Sequence, residues 1–341
     1  MDFYIFSYAF FFVVVLIGVG RSNFKLWSFV GALPMFLLVL LRGAIGPDTP
    51  MYQQSIELIQ SKESFAFIFE PGFELIILAI GRLTSDSLLT TKIIALITFL
   101  VVFSSNWFSP FAGQIISFAF MPYFLLDMTM NGLRYGLAFA ICLYSLSLFY
   151  HKNYLQLTFA GFFAILIQIS SVYVLGFLNL LFNPGLKNLF IVILLAGIIL
   201  SSSFEYLSFK ASVNQDLRIV SPTSGVAPFL LSSVSIAGAW SNAAIRTNYS
   251  KQFCILFLMS LITYGLTFLS SAGLRFQQLN LFTILLAVIL AGTSAGVTNS
   301  KPIYLSALLV GVLGSIFRFN NFISQAGLDS SSFMPYRFFW E

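Results

Sequence analysis

The sequence predicts an all-α, polytopic integral membrane protein, a bundle of about 11 to 13 transmembrane or re-entrant helices. Three observations predict it. The 341 residues are 58% hydrophobic and only 9% charged, with 41 Phe and a mean hydropathy of +0.92, whereas a soluble domain would be about a quarter charged. Long apolar runs recur almost to the end of the chain, and in lipid only helices and closed barrels satisfy the backbone. No polar, Pro-rich or Ser-rich linker divides the chain, so residues 1–341 read as a single transmembrane domain.

Taken in order, the apolar runs are 3–20, 26–41, 71–84, 88–104, 112–127, 133–150, 154–168, 171–183, 188–202, 226–242, 252–270, 276–296 and 302–318. The first has no basic residue before it and no small-residue cleavage site after it, so it reads as a retained helix. Several runs fall below the roughly 20 residues of a full crossing and read as half-helices or tilted pieces. Run 71–84 is the clearest of these, opened by Pro71 at a first-turn position. Residues 53–69 mix polar and apolar groups and predict an interfacial amphipathic helix over part of their length. Gln168-Ile169-Ser170-Ser171 splits an apolar stretch that would otherwise run from 154 to 183.

Short connections rich in Lys and Arg mark the cytoplasmic side. Arg21, Lys25, Lys152, Lys187, Arg246, Lys251 and Lys301 lie in such connections with no acid among them. The outer face then receives loops 42–70 and 203–225, the turn around Arg275 and the tail 319–341. One parity problem follows. With Lys92 cytoplasmic and Arg134 outer, the chain between them must cross an odd number of times, yet two apolar runs lie there. A re-entrant or interfacial 71–84 is the preferred resolution, the other being a cytoplasmic Arg134.

Chemistry is expected at a polar island, Arg42-Gly-Ala-Ile-Gly-Pro-Asp48-Thr-Pro-Met-Tyr52, closed by Phe69-Glu70-Pro71-Gly72-Phe73-Glu74. Five of the chain's twelve acids lie between Arg42 and Glu74, and such charge at a membrane boundary requires water, a partner or a substrate. Pro47 and Pro50 stiffen a turn that holds Asp48 at the boundary, where a carboxylate can accept a hydroxyl proton. A plain Arg42–Asp48 ion pair explains the same residues. Glu70 fits a helix-cap acid and Glu74, one turn deeper, fits less well.

Arg134, Arg275 and Arg337 sit at outer ends of apolar runs, against the orientation bias. Guanidinium forks grip phosphate oxygens, so several together could hold a diphosphate; snorkelling to headgroups is the alternative. Gln168 and Ser170 could bond across the bundle or to a sugar hydroxyl. His151, the only histidine, reads as loop.

Several function classes are excluded. The net charge of +5 comes from cations scattered through short loops, with no basic patch for nucleic acid. Cys142 and Cys254 lie inside apolar runs and read as inert core thiols. Nucleotide-binding loops, zinc-protease helices and nucleophile elbows are missing, as is an Asp-x-Asp metal grip. A transfer reaction here would use a lipid-linked donor, with no metal and no cofactor.

The constellations occur in the order seen in the EpsG-like branch of the Wzy-type polysaccharide (O-antigen) polymerases, which this chain resembles. The resemblance rests on Leu41-Arg42 through Tyr52, Phe69 through Glu74, Leu133-Arg134-Tyr135-Gly136-Leu137-Ala138 and Pro335-Tyr336; residues 180–270 add only hydropathy. Where that family usually carries His followed by a small hydroxyl residue, this chain has Gln168-Ile-Ser170, which keeps hydrogen bonding but not proton carriage.

The resemblance implies a GT-C-like bundle in the bacterial cytoplasmic membrane. It would polymerise oligosaccharide repeat units, with undecaprenyl-diphosphate-linked glycan as donor and acceptor, at a site on the outer face. Arg42, Arg134 and Arg275 would stabilise the departing diphosphate, and Asp48 or Glu70 would deprotonate the acceptor. Tyr52, Glu74, Gln168, Ser170, Tyr336 and Arg337 would contact substrate, and a chain-length regulator would be a further partner. A flippase for the same lipid would carry mid-membrane charge or paired interrupted helices, and a ligase would need a larger outer loop; neither feature is evident in the sequence.

Overall fold

A computed structural model describes residues 2–62, 64–66, 68–105, 108–182, 225–268, 271–297, 300–324 and 333–340. The expected run 188–202 and the loop 203–224 lie outside the described residues. The protein is an all-α polytopic membrane protein, and no strand is present among the described residues beyond an isolated bridge between Arg42 and Phe338. Among the described residues, seven helices are long and apolar enough to cross a membrane, and five shorter ones are apolar. Two compact units divide it, Met1–Gln168 with Ala307–Glu341, and Ile169–Ser306.

In the first unit, α1 (Asp2–Gly18) pairs with α2 (Phe24–Leu41). Amphipathic α3 (Thr49–Lys62) buries Tyr52, Ile56 and Ile59 at helical spacing, as expected for part of 53–69. α4 (Pro71–Gly81) opens on proline, whose missing N–H costs nothing in a first turn. It is 11 residues long, about 16 Å by rise per residue, half of a membrane core.

α5 (Ser87–Ser105) and α7 (Leu133–Tyr150) pack on each other, and α7 also on α8 (Tyr154–Ile167). Between them α6 (Pro110–Met130) is the most enclosed span. Pro122 cannot donate to the helical ladder, and a π-helical turn, Ile116–Phe120, precedes it. Ser28 and Ser117 hydroxyls meet at 2.8 Å between α2 and α6, joining polar groups that would otherwise be stranded in an apolar interior. Gly136 on α7 lies flat against the Met128 carbonyl, where any Cβ would collide. Large apolar side chains such as Phe6, Val13, Leu37, Leu100 and Phe159 stay exposed, as a lipid-facing surface requires.

The second unit holds α9 (Ser171–Phe182), α10 (Val226–Trp240), α11 (Ala243–Thr267) and α12 (Ser271–Ser294). α11 starts nine residues before the expected 252, because Asn242 caps it by accepting from the Ala244 and Ile245 N–H groups. Its polar first turns end at a kink at Tyr249. α13 (Lys301–Ser324) begins in this unit and belongs to the first from Ala307. It outruns the expected 302–318 and shortens the tail expected from 319, because Arg318 finds an acid inside the bundle (below). Of the two thiols, Cys142 is buried as expected, but Cys254 is exposed on α11.

The parity problem resolves within the first unit. Lys92 lies 4.3 Å from the Phe339 ring, and Phe339 bonds through its N–H to the Leu41 carbonyl. Lys92 therefore sits at the Arg42 end of the bundle, and α4 does not cross. Two crossings, α5 and α6, then return the chain to Arg134 at that same end.

Candidate functional site

The polar island forms one end of the first unit. At Arg42 the backbone leaves α2 for an extended conformation, and Gly46, at φ +108°, turns it into α3. A C-terminal segment covers this loop: Gly43 N–H donates to the Arg337 carbonyl at 3.0 Å and Tyr336 Oη to the Leu38 carbonyl at 2.7 Å. Tyr336 is thereby buried, whereas the Arg337 side chain is exposed.

Arg42 is wholly buried. Its Nη1 donates to the carbonyls of Ile45 and Met130, while Nε and Nη2 have no hydrogen-bond partner. No acid among the described residues pairs with it; the Tyr4 and Tyr336 hydroxyls are its nearest titratable neighbours. Burial pulls its pKa down to about 10 and those phenols oppose the fall, so it stays cationic at neutral pH. The simple Arg42–Asp48 pair is not formed. Asp48 instead lies half-buried, its N–H donating to Asn131 Oδ1 at 3.1 Å.

Glu70 is the N-cap residue of α4 but makes no side-chain capping bond. It reaches across to Arg134 on the first turn of α7, with Oε2 and Nη1 2.5 Å apart and the two side chains 13% and 12% exposed. Arg134 also lies 4.7 Å from the Phe69 ring, within cation–π range. Tyr52 packs on Phe69 and Phe73. Burial raises its phenol pKa, Arg134 pulls it down and Asp48 pushes it up. Arg42, Asp48, Tyr52, Glu70 and Arg134, drawn from three separate stretches of sequence, thus share one end of one unit.

The other expected site residues fare differently. Glu74 is fully buried, and its carboxylate accepts from the backbone N–H groups of Ala66, Ile68 and Phe69 at 2.9, 2.6 and 2.9 Å. That geometry makes it a clamp for the loop before α4. Glu74→Gln should destabilise the protein by about 3 kcal/mol, since each buried donor left unmatched costs about 1–3 kcal/mol; a thermal midpoint equal to the parent's would refute the clamp. Gln168 ends α8 in an extended conformation, and Gly72 beside Leu166 sets that helix end against the start of α4. Ser170 and Arg275 belong to the second unit, Arg275 exposed on α12.

Sequence reasoning missed a second charged group beneath the first. Asp127 in α6 accepts from the Tyr135 hydroxyl and, at 3.0 Å, from Arg318 Nη2 of α13. An acid and an arginine inside two apolar runs was the available signal, because charge there needs a partner. At the opposite end of α7, a cavity of about 460 Å³ is lined by Ser104, Phe108, Tyr144, Ser147 and His151; it lies far from the acids and arginines. No group of three metal-ligating side chains occurs among the described residues.

A family model described as the EpsG family matches residues 25–338, more than nine-tenths of the chain. The chain belongs to the EpsG family. Every residue expected to act falls inside the matched span. No match was found among curated proteins or among solved structures. EpsG membership supports a polysaccharide-polymerase-like role.

Proposed function

We propose that this EpsG-family protein joins lipid-linked oligosaccharide repeat units into a surface polysaccharide at the outer face of the bacterial cytoplasmic membrane. The observation that carries the proposal is the Arg134–Glu70 pair, a bidentate-capable cation 4.7 Å from the Phe69 ring that keeps a small solvent-exposed edge. A polyprenyl diphosphate competes with Glu70 for that guanidinium. Its arrival frees the Glu70 carboxylate to act on the acceptor, which Asp48 and Tyr52 help to hold.

In the reaction the acceptor hydroxyl oxygen bonds to the anomeric carbon of the donor sugar, with inversion. The carbon–oxygen bond to the diphosphate breaks, its electron pair leaves with polyprenyl diphosphate, and the hydroxyl proton passes to Glu70. Charge stabilisation of the leaving group is the largest contribution available. Arg134 provides it by contact; Arg42, walled in, contributes through the field of its buried charge. Carriage of the acceptor proton needs no histidine here, so Gln168 is left with hydrogen bonding.

A deletion strain tests the proposal through its lipid-linked glycans. Accumulation of single repeat units on the outer leaflet is expected. Accumulation on the inner leaflet would identify a flippase instead, and long unattached chains a ligase.

A further inference from the structure

Resting on the site proposed above, we propose that Asp127, with Tyr135 and Arg318, forms a positioning layer that sets the spacing of Arg134, Glu70, Arg42 and Asp48. The α6–α7 turn makes all of the relevant contacts. Met130 offers its carbonyl to Arg42 and to Thr49 Oγ1, Asn131 receives the Asp48 N–H, and Arg134 meets Glu70. Two segments of the site, the Arg42–Thr49 loop and Glu70, are therefore registered on one turn of about five residues.

That turn is fixed from below by Asp127. Its carbonyl accepts from the Asn131 and Gly132 N–H groups at 3.0 and 2.9 Å, and its carboxylate accepts from Tyr135, the residue directly after Arg134. Arg318 completes the charge balance at 3.0 Å, with side-chain exposures of 11% for Arg318 and 10% for Asp127. It also lies 4.9 Å from the Tyr123 ring. An isolated carboxylate or guanidinium at this depth would be strongly unfavourable. A pair that only balanced charge would have no need of Tyr135, and it is Tyr135 that joins the pair to the turn carrying Arg134. Asp127 does not touch the upper cluster through its own side chain, so its effect is indirect.

The test has an activity arm and a labelling arm. In membrane vesicles supplied with lipid-linked repeat units, Asp127→Asn should lower kcat at least tenfold, with KM for the donor within twofold and protein amount unchanged. Asp127→Asn/Arg318→Met removes both charges; a pair that merely balances charge would regain parental turnover, whereas a positioning layer stays impaired because Tyr135 has lost its ionised acceptor. Should Asp127→Asn fail to accumulate, Tyr135→Phe removes only the hydroxyl and should still lower kcat at least threefold. For the second arm, Arg134→Cys in a Cys254→Ser background is labelled with a small thiol reagent, and Asp127→Asn should raise the rate at least fivefold. Parental kcat in Asp127→Asn or in the double variant overturns the proposal, as does an unchanged labelling rate. If the parent protein makes no polymer, the activity arm counts against the polymerase reading alone, and the labelling arm still decides the positioning role.

Discussion

Arg134→Ala is expected to cut chain elongation at least about 100-fold, the size of effect seen when one preorganised charge donor is lost from a transition state. Protein amount should stay near normal once Glu70 is also neutralised, so Arg134→Ala/Glu70→Gln is the companion variant. Arg134→Lys separates two explanations. Lysine keeps the charge but loses the planar fork and the stacking on Phe69. It should therefore remain at least about tenfold impaired when polymer length and rate are measured in vesicles. Full activity with lysine would show that charge alone suffices, and full activity with alanine would remove Arg134 from the site.

Arg42→Met is expected to separate stability from activity. A wholly buried guanidinium with two unpartnered nitrogens and no acid beside it among the described residues is a poorly compensated charge, and apolar replacement of buried ions is often neutral or stabilising by about 1–4 kcal/mol. The carbonyls it leaves behind keep a donor, since Thr49 Oγ1 reaches Ile45 O at 2.6 Å and Met130 O at 3.4 Å. The thermal midpoint should thus hold or rise while elongation falls at least about tenfold, as expected when a residue is retained for function at the expense of stability. A lower midpoint with normal elongation would make Arg42 structural.

Much of the helical plan was legible because lipid imposes one signal: run 133–150 is α7 to the residue, and most other runs match within a few positions. The errors have local causes. α11 begins early through the Asn242 cap and a polar turn that hydropathy cannot see, and α13 runs long because Arg318 is matched by an acid 191 residues away. At the site, the sequence pointed to Arg42, Asp48, Glu70 and Arg134, but not to which acid meets which base. Proximity along the chain favoured Arg42 with Asp48, while the fold joins Arg134 to Glu70 across 64 residues. Nor did the sequence show that Glu74 accepts from three backbone N–H groups, which composition does not reveal.

The C-terminal segment over Arg42 has a consequence for biosynthesis. Tyr336 and Leu38 meet although 298 residues separate them, so the loop that emerges among the first segments is closed only by one of the last. A nascent chain still on the ribosome has the early motif without its cover. Closure of this end of the bundle is thereby deferred until Tyr336 has been made and inserted.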